Sequence, residues 1–412
     1  MLGQEPGTAG RIARARGNDT PADWAVSRRD FMRGAAAVGA GMVTLTTPAP
    51  GEAVAQAAPP SQPAPAGAAR PQPLTYDEVM RVAREKLYPR CRVCPECDGW
   101  ACSGEVPGFG GVGSGASFRA NLEALRGLHL RMRTLHDVKK PDLSVVLWGE
   151  RLSMPILSGA TGGASYNMGG KMTEDDFINA ILGGCLAAGS LGMAADGIQD
   201  PLSVYETRLK AVSAHKGKAI AIIKPRLQNE ILDRIKLVEA SGALAVGMDI
   251  DSAGRAAMAL PGQTVEPKTP AQIRELVKAT RLPFILKGVM TLEEAEVALQ
   301  AGVAAIVVSN HGGRVLDHTP GVAQVLPEIA RKLKGKLLVF ADGGVRYGAD
   351  VLKLLALGAD AVLVGRPLVR GAHGGGREGV ALLLNRMASE LTVAMTLTGT
   401  AGVGTVDPGI LA

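Results

Sequence analysis

The stretch Ser309–Arg314 reads Ser-Asn-His-Gly-Gly-Arg, and its residue types could do chemistry together. Histidine can take up or release a proton near neutral pH, and arginine can bind a carboxylate through two parallel hydrogen bonds. The apolar, β-branched run Ala304–Val308 precedes it and predicts a strand buried on both faces. An ordinary strand end could also carry a surface histidine and arginine. Whether the stretch is a functional site or an ordinary strand end therefore depends on the elements around it.

Those elements follow a regular rhythm from Met154 onward, in which apolar segments alternate with helical patterns. The helical patterns lie near 174–188, 201–213, 228–240, 270–280, 292–301, 322–333, 348–357 and 378–397. The predicted strands are Pro155–Ala160, Leu191–Ala195, Ala219–Lys224, Ala243–Asp249, Phe284–Gly288, Ala305–Ser309, Leu337–Ala341 and Ala361–Val364. Eight such units predict an α/β protein with a (β/α)8 TIM barrel, and a doubly wound sheet is the main alternative.

A barrel of this kind carries its functional residues where the strands end, at one face. Asp249 and Lys287 lie at the ends of the fourth and fifth predicted strands, and His311 and Arg314 follow the sixth. Glycine-rich loops with arginines follow the last two strands, where barrels commonly bind a phosphate through backbone N–H groups. The residues of these two loops are Asp342, Gly343, Gly344, Val345, Arg346, Gly365 and Arg366.

Composition narrows the range of partners. The chain has 412 residues, a net charge of +6 and only 3% aromatic residues. Since no block of lysine and arginine interleaves with aromatic side chains, we expect no nucleic-acid partner. The length suits one large α/β domain with extensions.

The first 55 residues predict a twin-arginine export signal. Ser27–Arg33 contains the arginine pair, Gly34–Thr47 is uncharged and too short to span a bilayer, and Ala53–Ala55 offers a cleavage site. A tail with a chance arginine pair is the alternative. The prediction places the protein outside the cytoplasm, in the periplasm or cell envelope, and residues 56–73 form a Pro/Ala-rich linker.

Residues 74–140 form the predicted N-terminal extension of a barrel domain that spans 141–412. It begins with an amphipathic helix over 74–88 and ends beyond the glycine-rich loop Gly104–Gly115. Between them lie four of the five cysteines, Cys91, Cys94, Cys97 and Cys102. Thiolates at this spacing suit a metal or iron–sulfur site, but two disulfides or four reduced thiols fit the spacing equally.

The motifs from about 280 to 370 resemble those of the FMN-dependent α-hydroxy-acid oxidase and dehydrogenase family. That family includes glycolate oxidase, lactate oxidase and flavocytochrome-type lactate dehydrogenases. The similarity is looser from 140 to 280. The segments that carry it are Ile285–Gly288, Val308–Arg314 with Leu316–Asp317, Asp342–Arg346 with Gly348, Asp350–Val351, Leu355–Ala359 and Gly365–Pro367.

The resemblance implies FMN as cofactor, a small-molecule 2-hydroxy acid as substrate and a role for each matching residue. His311 corresponds to the active-site base, Arg314 to the clamp on the substrate carboxylate, and Asp249 to the aspartate that pairs with the histidine. Lys287 corresponds to the cation at the N1 edge of the flavin, and Ser309 to a contact of the flavin ring. Backbone against the ring would come from Ala160, Thr161 and Gly162, and the ribityl phosphate would lie on Asp342–Arg346, Gly365 and Arg366.

Several departures from the family pattern put the usual small substrates, glycolate and lactate, in doubt more than the reaction type. A glutamine and tyrosine pair after the third strand is replaced by Ile222–Pro225, and here Lys224 is either a substrate or flavin contact or a residue at the rim. A family arginine after the fourth strand is represented by Arg255, displaced by one position. The family's serine after the second strand is also absent.

Two other functions stay open at this point. The same barrel could serve an FMN enzyme of a different reaction, such as a type 2 isopentenyl-diphosphate isomerase or an amine-oxidising relative. Alternatively, the cysteines could make this a metal or electron-transfer protein whose barrel only binds. We expect a homo-oligomer, and the residues leave oxygen, a quinone or a protein as the electron acceptor.

Overall fold

The structure, a computed structural model, describes residues 73–412. The predicted export signal and the linker up to residue 72 lie outside the described residues. The elements of the N-terminal extension are two helices, α1 (Tyr76–Leu87) and α2 (Ala116–Arg126). An antiparallel hairpin, β1 (Val145–Leu147) with β2 (Glu150–Leu152), leads into the barrel.

Eight parallel strands form the predicted barrel. They are β3 (Ile156–Ser158), β4 (Gly192–Ala195), β5 (Ala219–Ile223), β6 (Ala245–Asp249), β7 (Phe284–Val289), β8 (Ala305–Val308), β9 (Leu338–Ala341) and β10 (Ala361–Val364). Each strand pairs with the next, and β10 pairs with β3. A bridge between Thr161 and Ala194 joins β3 to β4 and closes the ring. The fold prediction is therefore confirmed, and the doubly wound alternative is wrong.

The outer helices alternate with the strands, as the periodicity predicts. They are α3 (Glu174–Ala187), α4 (Leu202–Ala214), α5 (Gln228–Ala240), α6 (Pro270–Lys278), α7 (Leu292–Ala301), α8 (Val322–Leu333), α9 (Gly348–Ala356) and α10 (Arg366–Thr398). Threonine side chains cap several of them, including Thr173, whose oxygen accepts from the backbone N–H of Asp176 at 3.0 Å. Such caps satisfy N–H groups that the first turn of a helix leaves free.

The hydrophobic core has two parts because the barrel strands are buried on both faces. One part lies between the strands and the outer helices, and the other fills the barrel interior. Leu147 and Leu152 of the hairpin belong to the interior cluster, and Trp148 packs edge-on against Phe340 at 6.0 Å between ring centroids. The hairpin thus closes the end of the barrel where the strands begin, which leaves the opposite end for a site.

Helix α10 is longer than the predicted 378–397, since it starts directly after β10 at Arg366. The sequence did not predict its first half as helix, because glycines at 371 and 374–376 are unfavourable inside a helix. Gly375 and Gly376 leave helical geometry and kink it. A side chain at Gly374 would collide with the backbone of Val79, so the glycine lets α1 pack closely against α10.

Helix α2 is fixed to the loop after β8 by Asp317. The residue before α2, Gly115, has no side chain that could cap the helix. The Asp317 carboxylate instead accepts hydrogen bonds from the backbone N–H groups of Ser114 at 2.6 Å, Ala116 at 3.0 Å and Ser117 at 3.4 Å. Partial burial opposes ionisation, but these bonds lower the pKa of Asp317 to about 2.

We expect Asp317→Asn to lower the free energy of unfolding by about 1–2 kcal/mol near neutral pH, since it weakens a helix cap. The folded-state pKa lies below the ordinary value of 3.8, so this stabilisation is complete above about pH 4 and is lost as the pH falls toward 2. Urea unfolding at neutral and acid pH measures it. The exposed Asp233→Asn is the control, and a difference from wild type that persisted at about pH 2 would contradict the assignment.

Candidate active site

A cavity opens where the barrel strands end, and the extension covers part of it through Gly108 and Phe109. Asp249 and Ser309 lie outside its lining and are buried, with 1% and 0% of their surfaces exposed. The other residues that the sequence nominated for catalysis and cofactor binding all line this cavity. They are Ala160, Thr161, Gly162, Lys287, His311, Arg314, Asp342, Gly343, Gly344, Val345, Arg346, Gly365 and Arg366.

His311 is held in an uncommon backbone conformation. Its φ of +57° lies in the left-handed region, which costs a residue with a side chain about 1 kcal/mol or more. The Ser309 hydroxyl offsets part of this cost because it accepts a hydrogen bond from the His311 backbone N–H at 3.0 Å. That same hydroxyl donates to Asp342 Oδ2 at 2.9 Å. Ser309 therefore fixes the turn that aims the imidazole into the cavity.

The carboxylate hydrogen-bonded to His311 belongs to Asp251. The distance from His311 Nδ1 to Asp251 Oδ1 is 2.9 Å, whereas Asp249 Oδ1 lies 3.5 Å away. Asp249, the predicted partner, also lies beside the histidine, and a 3₁₀ helix over Ile250–Met258 continues β6 and brings the Asp251 carboxylate closer still. A carboxylate only accepts, so Nδ1 carries the proton and Nε2 is the basic atom.

Asp249 is instead the centre of a buried ion-pair network. Its two oxygens bind the Lys224 ammonium and, at 2.8 Å, the Lys287 ammonium. Burial alone would raise the pKa of Asp249, but His311, Lys224 and Lys287 hold it well below its ordinary value. Lys224 also donates to Ser252 Oγ at 2.9 Å. It lines the cavity and is 7% exposed, which rules out the rim position left open by the sequence.

Asp249, Asp251 and His311 are the one set of three potential metal ligands that the described residues bring close together. Two lysine ammoniums already neutralise its carboxylates, since Lys287 also lies 4.0 Å from Asp251. A metal cation there would face these positive charges at short range. The trio is therefore better explained as the ion-pair network that orients His311.

Arg314 lines the same cavity and is held by the extension and by the loop after β3. Its guanidinium donates to the Gly108 carbonyl and, at 3.1 Å, to Asn167 Oδ1. Burial, together with the nearby guanidiniums of Arg255 and Arg366, lowers the pKa of Arg314 to about 9, so it stays charged at neutral pH. Like charges are crowded here, and an anion bound among them would relieve their repulsion.

The two glycine-rich loops contribute Arg346 and Arg366 to the lining of the cavity. Phe118 of α2 lies against Arg366, with 4.1 Å from the guanidinium carbon to the ring centroid. Gly343 and Gly344 have φ values of +87° and +81°, and a side chain on either would collide with Asn121. Within the described part of the chain, Arg255 Nε, Asp342 Oδ1 and Arg346 Nε are buried without a partner. Unsatisfied groups of this kind indicate a missing polar ligand.

Several functional candidates were not found from the sequence. Asp251 could have been noticed as a second carboxylate after β6. Tyr166 and Asn167 line the cavity from the loop after β3. The family pattern has its tyrosine after the strand that is β5 here, so these two residues were not predicted. Gly108 carries no side-chain signal, because it contributes only its carbonyl.

The four clustered cysteines lie next to the phosphate-type loops and outside the cavity that contains His311. All five cysteines are free, and no three of them come within ligating distance among residues 73–412. The metal or iron–sulfur interpretation of Cys91, Cys94, Cys97 and Cys102 therefore gains no support from the geometry.

Comparison with known proteins agrees with the geometry. The sequence model described as FMN-dependent dehydrogenase matches residues 109–257 and 250–412. The 2-hydroxyacid oxidase 2 of Mus musculus is 31% identical over 325 residues, which cover 73% of this chain and 91% of that protein. Glycolate oxidase 1 of Zea mays is 31% identical over 69% of this chain and 84% of its own length.

Solved structures of mandelate oxidase have the same fold. The crystal structure with benzoyl-formic acid superimposes with a TM-score of 0.66 and 29% identity, over 82% of this chain and 97% of that one. The (β/α)8 fold, the site at the carboxyl ends of the strands and these similarities agree. This chain belongs to the FMN-dependent dehydrogenase family.

Proposed function

We propose that this protein uses bound FMN to oxidise a 2-hydroxy acid to the corresponding 2-oxo acid. One observation carries the proposal: a histidine with a free basic nitrogen and a half-buried, charged arginine line the same cavity, three residues apart. Removing two electrons from a 2-hydroxy acid requires a base at the hydroxyl and a cation at the carboxylate.

The residues present fit FMN. Partnerless buried atoms of Arg346 and Asp342 lie at the end of the cavity that has the glycine-rich loops, where a phosphate and a ribityl hydroxyl would satisfy them. The groups that would hold the cofactor are the loops Asp342–Arg346 and Gly365–Arg366, the backbone of Ala160–Gly162, and Lys287. When bound, FMN supplies the acceptor for the two electrons that leave the substrate α-carbon.

Each charged group near His311 has a defined part in this reaction. Arg314 holds the substrate carboxylate, and Arg255 adds a second positive charge beside it. His311 Nε2 takes the hydroxyl proton, and Asp251 stabilises the imidazolium that forms. The network around Asp249 keeps Lys287 charged inside the protein, since burial opposes ionisation but Asp249 and Asp251 raise the pKa of this lysine above its ordinary value.

The alternative reactions leave parts of the site without a use. An isomerase acting on a diphosphate has no carboxylate for Arg314 to bind. An amine-oxidising enzyme would bring its own cationic substrate next to Arg255 and Arg314, at a cost in repulsion. The named relatives are oxidases of 2-hydroxy acids, glycolate and mandelate.

Anaerobic mixing of the flavin-loaded protein with a panel of 2-hydroxy acids tests the proposal. We expect the oxidised flavin absorbance to disappear with at least one acid and to persist with its 2-oxo product. The panel should run from glycolate and lactate to larger and aromatic acids, since Lys224 replaces the expected tyrosine. A protein that binds flavin but is reduced by no member would contradict the proposed reaction.

Asp251→Asn and Asp249→Asn should have different effects. Asp251→Asn removes the charge next to the imidazolium, and a charged hydrogen bond contributes about 1.5–3 kcal/mol, so flavin reduction should slow about 10- to 100-fold. Asp249→Asn leaves two buried lysines without their carboxylate and should destabilise the fold by about 3–5 kcal/mol. Stopped-flow reduction and thermal unfolding of both variants measure the difference. Equal effects of the two variants on both readouts would contradict the assignment.

We further propose that the protein forms a homo-oligomer. We also propose that residues 1–55 direct export by the twin-arginine route and that residues 56–73 link them to the extension. Ser27–Arg33 and Ala53–Ala55 support the export proposal, together with the need of a flavoprotein to fold around its cofactor before transport. Cell fractionation tests it: substitution of both Arg28 and Arg29 by lysine should retain the protein in the cytoplasm. Unchanged export would exclude this route.

A further inference from the structure

A second cavity of about 560 Å³ lies beside the candidate active site. Its walls come from α1, the cysteine-containing segment, α9 and α10. Gly344, Arg346 and Pro367 line both cavities, so these residues form a shared wall. The proposed mechanism uses one side of this wall, and Cys94 and Cys97 lie on the other.

Cys97 is bound by two arginines, Arg346 of this wall and Arg370 of the second cavity. Its sulfur lies 3.4 Å from Arg346 Nη2 and 3.1 Å from Arg370 Nη2. Arg370 Nη2 also lies 3.7 Å from the sulfur of Cys91. Burial would raise the pKa of the Cys97 thiol, but Arg346, Arg370 and Arg366 outweigh burial and lower the pKa below its ordinary value.

Arg370 supplies an independent indication that this cavity receives a polar group. It is 8% exposed and lines the second cavity, yet its Nε has no partner within the described residues. The Nε of Arg346 is also without a partner. The two guanidiniums thus have more donors than Cys97 and Cys91 can satisfy.

We propose that Cys97 is a modification site whose sulfur competes with the FMN phosphate for Arg346, so that modifying the sulfur strengthens FMN binding. The inference rests on the proposed FMN site. The competition is one of charge, since Arg346 contacts the sulfur of Cys97 through Nη2 and also lines the cavity in which the phosphate would lie. When the sulfur carries no negative charge, the positive charge of Arg346 is no longer shared and interacts with the phosphate alone.

The reagents that fit are small neutral electrophiles, because the cavity has room for a small adduct. Hydrogen peroxide is the natural example: the thiolate attacks one oxygen, an S–O bond forms, the O–O bond breaks, and the hydroxide that leaves is protonated by a buffer acid. Iodoacetamide is the laboratory equivalent, in which a C–S bond forms and iodide leaves. Both products at Cys97 are neutral.

The effect is measurable from both sides, through the rate at which Cys97 is alkylated and through the affinity for FMN. We would follow alkylation of each cysteine by iodoacetamide in the full chain, without flavin, with FMN and with riboflavin, by peptide mass spectrometry. Saturating FMN should slow alkylation of Cys97 by at least about fivefold. Riboflavin, which has no phosphate, should not. Cys185 is buried and serves as the unreactive reference.

The reverse experiment measures flavin affinity by fluorescence quenching. Cys97→Ser and the alkylated wild-type protein should bind FMN more tightly by the same factor, with riboflavin affinity unchanged, and Cys94→Ser should match wild type. Simple shielding of Cys97 by the cofactor would not tighten FMN binding in Cys97→Ser. Arg370→Gln should slow Cys97 alkylation without flavin, since it removes one of the two cations.

The outcomes separate this inference from the proposed function. If FMN binds with the same affinity to Cys97→Ser, alkylated protein and wild type, the competition is wrong while the proposed function stands. If the chain binds neither FMN nor riboflavin, both are overturned. Weaker FMN binding after alkylation, with Cys97→Ser unchanged, would show an adduct that obstructs the site and would also overturn the competition.

Discussion

Flavin reduction by the preferred 2-hydroxy acid should slow by about 10²- to 10⁴-fold when His311 is replaced by glutamine, the range expected for loss of a general base. Glutamine keeps a polar side chain of similar reach but has no basic nitrogen near neutral pH. Rapid-mixing absorbance measurements under anaerobic conditions read out this step directly, because they separate substrate oxidation from reoxidation by the electron acceptor.

The structure allows a control for damage to the fold. The His311 backbone is held by Ser309, and its left-handed φ is a property of the turn between Asn310 and Gly312. We therefore expect His311→Gln to retain FMN and to unfold within a few degrees of wild type. His311→Gly would relieve the backbone strain and should be at least as stable in this turn. A glutamine variant reduced at the wild-type rate would remove His311 from the role of base.

The barrel itself was predictable because its strands are buried on both faces. Runs such as Ala219–Ile223 and Ala245–Asp249 are buried throughout, so the sequence shows them as uninterrupted apolar segments ending at a polar residue. The end of each run then marks the face of the barrel with the site. His311, Lys287 and Arg366 were found in this way, each from its position after a strand.

The pairing within the site was less predictable, since it depends on side-chain directions. Asp249 and Asp251 are two residues apart and chemically identical. Only the 3₁₀ turn after β6 determines that Asp251 meets His311 while Asp249 faces two lysines. The lysine after β5 was similarly ambiguous, because a buried ammonium and one at the rim have the same sequence pattern.

Elements rich in glycine were also underestimated. The first half of α10 contains glycines that allow close backbone contacts, so its sequence does not resemble a helix by propensity. Glycines also precede α2 and allow close backbone contacts there, but they offer no side chain that could cap the helix. Tertiary packing decides both cases: α1 lies against α10, and Asp317 caps α2 from another part of the chain. Contacts of this kind join residues about 200 positions apart, and local patterns do not contain them.

Arg314→Lys should lower the apparent kcat/KM for a 2-hydroxy acid by about 10²-fold, since an ammonium cannot reproduce two parallel hydrogen bonds to a carboxylate. Each charged hydrogen bond contributes about 1.5–3 kcal/mol, and the lysine also loses the contacts that Arg314 makes with Gly108 and Asn167. If Arg314 binds the carboxylate equally strongly in the ground state and the transition state, the substitution should mainly raise KM.

A neutral substrate analogue distinguishes carboxylate binding from general damage to the site. A 2-hydroxy amide has no carboxylate for Arg314, so wild type and Arg314→Lys should oxidise it at more similar rates than they oxidise the acid. Arg92→Lys, at an exposed ion pair with Glu105, is the matched control and should leave both substrates unaffected. An equal loss on acid and amide would show that Arg314 supports the cavity without binding the carboxylate.

The substitution should also move the alkaline loss of activity to lower pH. Burial and the neighbouring Arg255 and Arg366 already lower the pKa of Arg314 to about 9, and a lysine starts from a lower ordinary value than an arginine. The same surroundings therefore bring deprotonation of the lysine closer to neutrality. Activity on the acid should fall as the pH rises in Arg314→Lys, at a lower pH than in wild type. A variant whose profile matched wild type would show that residue 314 lies in a more polar environment than the structure gives it.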